Sequence, residues 1–412
     1  MRDIYVTGMG IISALGVGCE ATPDALRRRQ SGIAPVKRLE TSHRDFPVGE
    51  VDLSDHEMMT ALGLPHTAIT TRSALMATIA LREALESAGI TAGCDLGDRP
   101  VALISGTTVG GMDMSERYYR HFLDGPEHSA YIATHDCGSC TELTADYFGL
   151  FSLVQTISTA CSSAANAILA GAELIRDGRA GIVVAGGSEC LTRFHLNGFA
   201  TLMILDRQPC RPFDAGRGGL NLGEGAAYIV LEAAETIRSR NAKPICRLSG
   251  WANTCDAYHQ TASSPLGEGA RMSMSKALSR AGLSPADIGY INAHGTGTAN
   301  NDLSEGLAIE AVFGEKLPPV SSTKAFTGHA TSAAGGIEAI ISIMALQNGF
   351  IPANLNFATP MEELKFSPSQ GAEGIRLRHV LSNSFGFGGN DTTLIFSEMP
   401  SDSAGRPIGN SF

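Results

Sequence analysis

No window of the sequence approaches about 18 consecutive apolar residues without a polar interruption, so membrane insertion is not expected. A cleavable leader is not expected either. Met1-Arg2-Asp3-Ile4-Tyr5-Val6-Thr7-Gly8 has no long apolar h-region and reads as a first strand. Basic residues are in deficit: 31 Lys and Arg stand against 42 Asp and Glu, a formal net charge of −11. Neutralising phosphates needs a basic surface, so nucleic-acid binding is not expected, and an acidic protein partner would need a local basic patch. The nine cysteines are odd in number and follow no framework pattern, which suits a reducing, cytoplasmic setting.

What is present is a large interior. The 412 residues are 43% hydrophobic and 18% charged, too apolar for disorder and long enough for two or three domains, or two halves on one core. Strand-like apolar runs at Ile4–Met9, Val101–Ser105, Ile182–Ala185 and Ala226–Leu231 alternate with helical spacing over Thr71–Ser87 and Ser162–Arg176. That alternation predicts an α/β fold with a buried central sheet. A second set follows, with strands at Cys246–Trp251, Ile288–Asn292 and Leu394–Ser397 and helices at Ala270–Ala281 and Gly336–Gln347. Thr156–Cys161 and Val320–Lys324 each run into an Ala/Gly-rich helix, an echo that suggests duplication into halves 1–250 and 251–412. The polar tail from Met399 reads as loose.

Four segments carry chemistry. In Ser158-Thr159-Ala160-Cys161-Ser162-Ser163 a strand pattern gives way to a helix, so Cys161 sits at a helix N-terminus, where free N–H groups favour a thiolate. Asn292-Ala293-His294-Gly295-Thr296-Gly297-Thr298 puts a histidine on a turn at a strand end. Ser322-Thr323-Lys324-Ala325-Phe326-Thr327-Gly328-His329 sets a cation and an imidazole together before a helix. Asn383-Ser384-Phe385-Gly386-Phe387-Gly388-Gly389 reads as a mobile glycine-rich loop with an aromatic in it. Each has a plain reading alone: a packed cysteine, a structural histidine, a surface lysine, an ordinary turn.

Taken in this order, the four segments resemble those of the β-ketoacyl-acyl-carrier-protein synthases of the elongating type I/II kind. The resemblance runs from Val6-Thr7-Gly8-Met9-Gly10 through Val184-Ala185-Gly186-Gly187-Ser188-Glu189, Arg211-Pro212-Phe213-Asp214 and Leu222-Gly223-Glu224-Gly225-Ala226 to the last strand. It implies a thiolase-like fold of two βαβαβαββ halves in five αβαβα layers, usually a dimer. It implies a decarboxylative Claisen condensation in fatty acid or polyketide elongation, with Cys161 as nucleophile and His294 and His329 as donors to the malonyl enolate. Lys324 would be paired with Glu338, and the N–H groups of Cys161 and Phe387 would form an oxyanion hole. Thr296 and Thr298 would bind the phosphopantetheine arm, which the acyl carrier protein supplies, so no separate cofactor is required. Val109 and Phe387 would gate the acyl pocket.

The chain departs from the family's pattern in places. Asn390-Asp391 follows the glycines where Thr-Asn is common, and Arg217-Gly218-Gly219-Leu220 replaces Arg-Asp-Gly-Phe. Gly149-Leu150-Phe151-Ser152 stands for the Gly-Leu-x-Gly-Pro turn. The basic run that helps dock carrier protein is thin, since 58–71 hold no Lys or Arg. Arg207, Arg211 and Arg72 are the remaining docking candidates, although Arg211 could instead anchor its loop through Asp214. These differences fit a specialised polyketide or polyene synthase as well as a housekeeping one.

Cys137-Gly138-Ser139-Cys140 has metal spacing but no matching second pair, so no metal site is expected. A non-catalytic chain-length partner would typically lack the cysteine. A thiolase would need a second catalytic cysteine near the C-terminus, where the last cysteine here is Cys255. An initiating synthase would usually have Asn at His329. The chain could be a homodimer, or the catalytic half of a heterodimer with a ketosynthase-like chain-length factor.

Overall fold

The computed structural model describes residues 2–91, 96, 100–125 and 129–399. The tail beyond Met399 lies outside the described residues. Ten strands form one path, in the order Leu153–Ile157, Val101–Gly106, Ile182–Glu189, Gly225–Ala233, Ile4–Ser13, Cys246–Cys255, Asn390–Ser397, His379–Gly386, Tyr290–Asn292, Val320–Ser321. Counted within each half of the chain, both sets of five run 3-2-4-5-1. The outer three strands are parallel and the remaining neighbours antiparallel. The halves join through their first strands, where Tyr5 faces Arg247 and Val6 faces Cys246. Position 250 therefore falls inside the strand that opens the second set.

Helices divide the assembly into five layers. Arg72–Ser87 covers one outer face, packing on Ile4–Ser13 and Gly225–Ala233. Glu268–Ala281 covers the other, packing on Cys246–Cys255 and Asn390–Ser397. Ser163–Arg176 and Ala334–Asn348 fill the middle, each touching strands of both halves and each other. The second central helix is buried along Ala334–Leu346, as expected for a helix that is apolar all round.

Small residues make that packing possible. A Cβ at Gly335 would lie 2.9 Å from Ala165 Cβ on the facing central helix. On the outer face, a Cβ at Gly8 or Gly10 would lie 2.2 or 2.0 Å from the carbonyl oxygens of Ala84 and Ala80. The Val6–Gly10 motif is thus a surface against which a helix lies flat. Interiors packed this closely have no room for a methyl group at such points.

The expected elements are present, most of them longer than the apolar runs suggested, except that Ile288–Asn292 begins at Tyr290. The strand His379–Gly386 was not expected. Asn383–Gly386, read as the start of a loop, belongs to it, and only Phe387–Gly389 forms the turn into Asn390–Ser397.

Candidate active site

Cys161 is placed by a sharp turn between the strand Leu153–Ile157 and the helix Ser163–Arg176. Ala160 sits in the left-handed region at φ 52°, a strained conformation for a residue with a Cβ. The turn is held by Ser163, whose hydroxyl donates to Ala160 O at 2.6 Å and accepts from Thr159 N at 2.9 Å. Cys161 is buried, and the backbone N–H of Phe387 acts on it to favour the charged form.

The helix N-terminus was expected to favour a thiolate. Burial outweighs it: the thiol is pushed up to about 12, against the pull of Lys324 and of the Phe387 N–H. The resting group is therefore a thiol.

His294 follows the strand Tyr290–Asn292. Glu305, on the helix Ala299–Phe313, fixes its backbone by accepting from His294 N at 2.9 Å and Gly295 N at 2.8 Å. Asn383 donates to the same carboxylate at 3.1 Å. Burial pushes Glu305 up to about 7 despite these donors.

His329 is held through its backbone: its N–H donates to Asn221 O at 2.7 Å and its carbonyl accepts from Gly223 N at 2.9 Å. The two imidazoles lie edge to face with centroids 5.3 Å apart. Burial drives both well below the usual histidine range, reinforced by Lys324, so both are neutral near pH 7.

Lys324 organises the pair. It is 1% exposed, and its ammonium meets Glu338, His294 O at 2.5 Å and His294 Nδ1 at 3.2 Å. An ammonium has only hydrogens to offer, so His294 Nδ1 accepts and the ring proton sits on Nε2. Among the described residues His329 Nδ1 has no partner, so none of them fixes its tautomer through that atom. Burial pushes Glu338 up to about 7, opposed by Lys324.

One cavity of about 340 Å³ gathers Cys161, His294, His329, Thr296, Thr298 and Phe387. Thr296 and Thr298 are joined hydroxyl to hydroxyl at 2.8 Å. The Phe387 ring stacks on Phe199, another lining residue, with centroids 5.8 Å apart.

Val109 is not part of that wall. It is buried among Leu103, Ala226 and Tyr228, with its N–H on Glu189 at 3.1 Å. Arg72 is corrected as a docking candidate: its guanidinium is mostly buried and spent on Glu224 and Asp55 at 2.7 and 2.8 Å. Arg211 pairs with Asp206 at 3.0 Å rather than with Asp214, whose carboxylate caps the backbone of Gly216, Ala358 and Thr359. Arg207 is exposed, paired with Asp45 at 2.7 Å and lying over the Phe46 ring. Cys137 and Cys140 lie on the helix Cys137–Phe148. Among the described residues no three His, Cys, Asp or Glu side chains are grouped to hold a metal ion, and no helix is long and apolar enough to cross a membrane.

Several buried carboxylates were given no role by the sequence reading, Glu305 among them. Glu189 is another, accepting from Thr107, Thr108, Val109, Thr331 and Ser332, and so joining the Val109 loop to the segment after His329. The signal for each was an acidic residue inside a run of small or apolar residues, where an ionisable group stays only if it is paired.

A buried cysteine and two neutral imidazoles opening on one cavity of a doubled five-layer fold define a condensing acyltransferase of the thiolase-like class. The family profiles agree. The β-ketoacyl synthase N-terminal domain matches residues 1–236 and the C-terminal domain matches 245–358. A 3-oxoacyl-[acyl-carrier-protein] synthase 2 of Staphylococcus aureus is 31% identical over 415 residues, covering 97% of this chain and 99% of its own. The ishigamide ketosynthase/chain length factor structure is 30% identical at TM-score 0.87, covering 97% and 99%. A type II polyketide ketosynthase solved with its acyl-carrier protein is 26% identical at TM-score 0.85, again covering 97% and 99%. The chain belongs to the β-ketoacyl synthase family.

Proposed function

We propose that the chain extends an acyl group held as a thioester on Cys161, by decarboxylative condensation with malonyl-acyl carrier protein. The observation that carries this reading is the single cavity onto which Cys161, His294 and His329 all open. In the first half-reaction the Cys161 sulfur attacks the carrier thioester. The bond from carbonyl carbon to arm sulfur breaks, and the arm leaves as a thiol with the proton from Cys161.

In the second half-reaction the malonyl carboxylate leaves as carbon dioxide. Its bonding electrons become an enolate, and its oxygen takes hydrogen bonds from His294 and His329. The enolate carbon attacks the acyl-enzyme, the N–H groups of Cys161 and Phe387 hold the tetrahedral oxyanion, and collapse releases the Cys161 thiolate. Lys324, paired with Glu338, keeps His294 as an Nε2–H donor. Thr296 and Thr298 take the phosphopantetheine arm on the cavity wall. Incubation with acyl-carrier protein followed by malonyl-carrier protein tests the whole: a product two carbons longer supports it, and loading without extension overturns the condensation step.

The dimer is part of the proposal. The strand Leu153–Ile157 ends the sheet path with its outer edge open and Val154 and Gln155 exposed, and an open edge invites a second sheet. A chain-length factor as partner is favoured by the similarity to the ishigamide ketosynthase/chain length factor structure. Native mass spectrometry of the chain expressed alone separates the cases: a stable homodimer active in extension argues against an obligate heterodimer. The eight cysteines among the described residues are unpaired, which supports a cytoplasmic setting.

Docking and chain length each give an expectation. With net charge −11, long-range charge repels an acidic carrier, so a local cation must attract it. Arg207 is the exposed candidate, and Arg211 a half-covered second. Arg207→Glu is expected to weaken extension from carrier protein while leaving a small acyl-thioester mimic nearly unaffected. Equal loss on both would mark a folding or site defect, and no loss on either would remove Arg207 from the interface.

The proposed acyl-pocket role of Val109 needs the acyl chain to pass Phe387 into the packed region behind it. Val109→Trp would then shut out long chains and leave short ones loadable, since overfilling costs about 1–3 kcal/mol. An unchanged chain-length profile in a folded variant would leave Val109 as core alone.

A further inference from the structure

The N–H groups of Cys161 and Phe387 belong to separate turns that only the fold brings together. Cys161 lies in the turn before the helix Ser163–Arg176, and Phe387 opens the turn between the strands His379–Gly386 and Asn390–Ser397. Gly386 and Asn390 are the last residue pair of that hairpin. Donors that hold one oxygen between them need a fixed spacing, since misplacement by about 1 Å can cost about 10² in rate.

Gly386 lets the turns meet. A Cβ there would lie 2.8 Å from Thr159 O, 3.1 Å from Ser162 Oγ and 3.2 Å from Cys161 N. Close approach without a bond between the turns leaves them free to slide, so a side chain that holds both is needed to fix their spacing.

Asn390, where the family commonly has Thr, is that side chain. Its Oδ1 accepts from Asn166 Nδ2 at 2.8 Å and Ser162 Oγ at 3.2 Å, both at the start of the helix that follows Cys161. It also accepts from Asn253 Nδ2 at 2.6 Å, on the strand Cys246–Cys255. Ser162 has one hydroxyl hydrogen and lies nearer Thr159 O, at 2.8 Å, so Asn166 carries the main bond.

Asn166 is fixed at both ends. Its Oδ1 accepts from Thr392 Oγ1 at 2.8 Å, and its Nδ2 also reaches Thr159 Oγ1 at 2.9 Å. Asn253 Nδ2 donates to Asp391 O at 3.4 Å as well. A backbone carbonyl only accepts, so the Asn253 atom is the nitrogen and the Asn390 atom facing it is the oxygen.

We propose that Asn390 is a positioning residue that sets the spacing of the Cys161 and Phe387 N–H groups, and so the hold on the tetrahedral oxyanion during acyl transfer. The inference rests on the function proposed above. Asn390 touches no reacting atom. It acts through Asn166 and Ser162 on one side and through its pairing with Gly386 on the other.

The test compares two reactions of the Cys161 thiol in the full-length protein. Acyl transfer from a small acyl thioester passes through an oxyanion, whereas alkylation by iodoacetamide depends on thiolate fraction and access and forms no oxyanion. Both rates are followed by intact mass with peptide mapping, for wild type, N390L, N390A and N390D. N390L keeps the shape and loses the acceptor, and its ratio of loading to alkylation is expected to fall about tenfold or more. N390A is expected to fall likewise, and decides the matter if N390L does not fold. N390D keeps an acceptor in place and should hold the ratio within about threefold of wild type. Equal losses of loading and alkylation in N390L or N390A overturn the proposal, as does normal loading by either. An N390D ratio as low as that of N390L overturns it too. If wild type is alkylated at Cys161 yet takes up no acyl group, the proposed function fails, and this inference with it.

Discussion

Cys161→Ala is expected to carry no acyl group after incubation with acyl-carrier protein: its intact mass should stay unshifted, whereas wild type should gain one acyl unit. Among the described residues Cys140, Cys190, Cys210 and Cys246 are buried, and Cys19 and Cys137 are partly covered. None of these lines the cavity. Among the described residues Cys255 is the exposed thiol, and its sulfur lies 3.7 Å from Gly388 O, close to the Phe387–Gly389 turn. It is the natural rival, and a general alkylating reagent should modify it in wild type and variant alike. On the proposed mechanism the acyl group should behave differently, because it would need the N–H groups of Cys161 and Phe387 on its carbonyl oxygen. The Sγ→Cβ truncation leaves that backbone in place and removes only the sulfur. Loading that persists in Cys161→Ala, traced to another cysteine by peptide mapping, would put the nucleophile elsewhere.

The sequence made the architecture legible where burial is simple. Ile182–Glu189 is covered on every residue, so its apolar run marked the strand, and the all-round apolar helix Ala334–Asn348 stood out likewise. It failed where buried residues are polar. His379–Gly386 runs through Ser382, Asn383 and Ser384, all buried. Asn383 is tolerated there because it donates to Glu305 and accepts from Thr393 Oγ1 at 2.9 Å. Hydrophobic periodicity cannot register a strand whose inward residues are satisfied by partners from elsewhere in the chain. The first strand was read only as Ile4–Met9, yet it runs on through Gly10, and Gly8 and Gly10 are what lets the helix Arg72–Ser87 approach.

The site was legible as a set of segments and illegible as a set of charge states. A cysteine at a helix start promised a thiolate, but the turn buries it, and burial outweighs a partial helix charge. Glu189 could not be read from spacing, since its donors lie near residues 107–109 and 331–332, on loops that only the fold brings together. Arg72 looked like a surviving surface cation because sequence shows residue type without showing Glu224, 152 positions away.

His294→Ala and His329→Ala are each expected to lose malonyl decarboxylation by about 10², the scale for one removed oxyanion donor, or about 2.7 kcal/mol. The two should part on loading. Lys324 donates to His294 Nδ1, so His294 presents Nε2–H to the cavity and has no lone pair there to receive the Cys161 proton. Removing it deprives the enolate of a donor and leaves the first half-reaction close to wild type. His329 has no such partner on Nδ1 among the described residues, which leaves either tautomer open, so on the proposed mechanism it would serve as acceptor in one step and donor in the next. His329→Ala should therefore slow loading as well as decarboxylation. Loading is read by intact mass and decarboxylation by release of labelled carbon dioxide from malonyl-carrier protein, measured separately on each variant. Normal carbon dioxide release by both would remove the histidines from enolate stabilisation. A loading defect confined to His294→Ala would reverse the tautomer that Lys324 is held to impose.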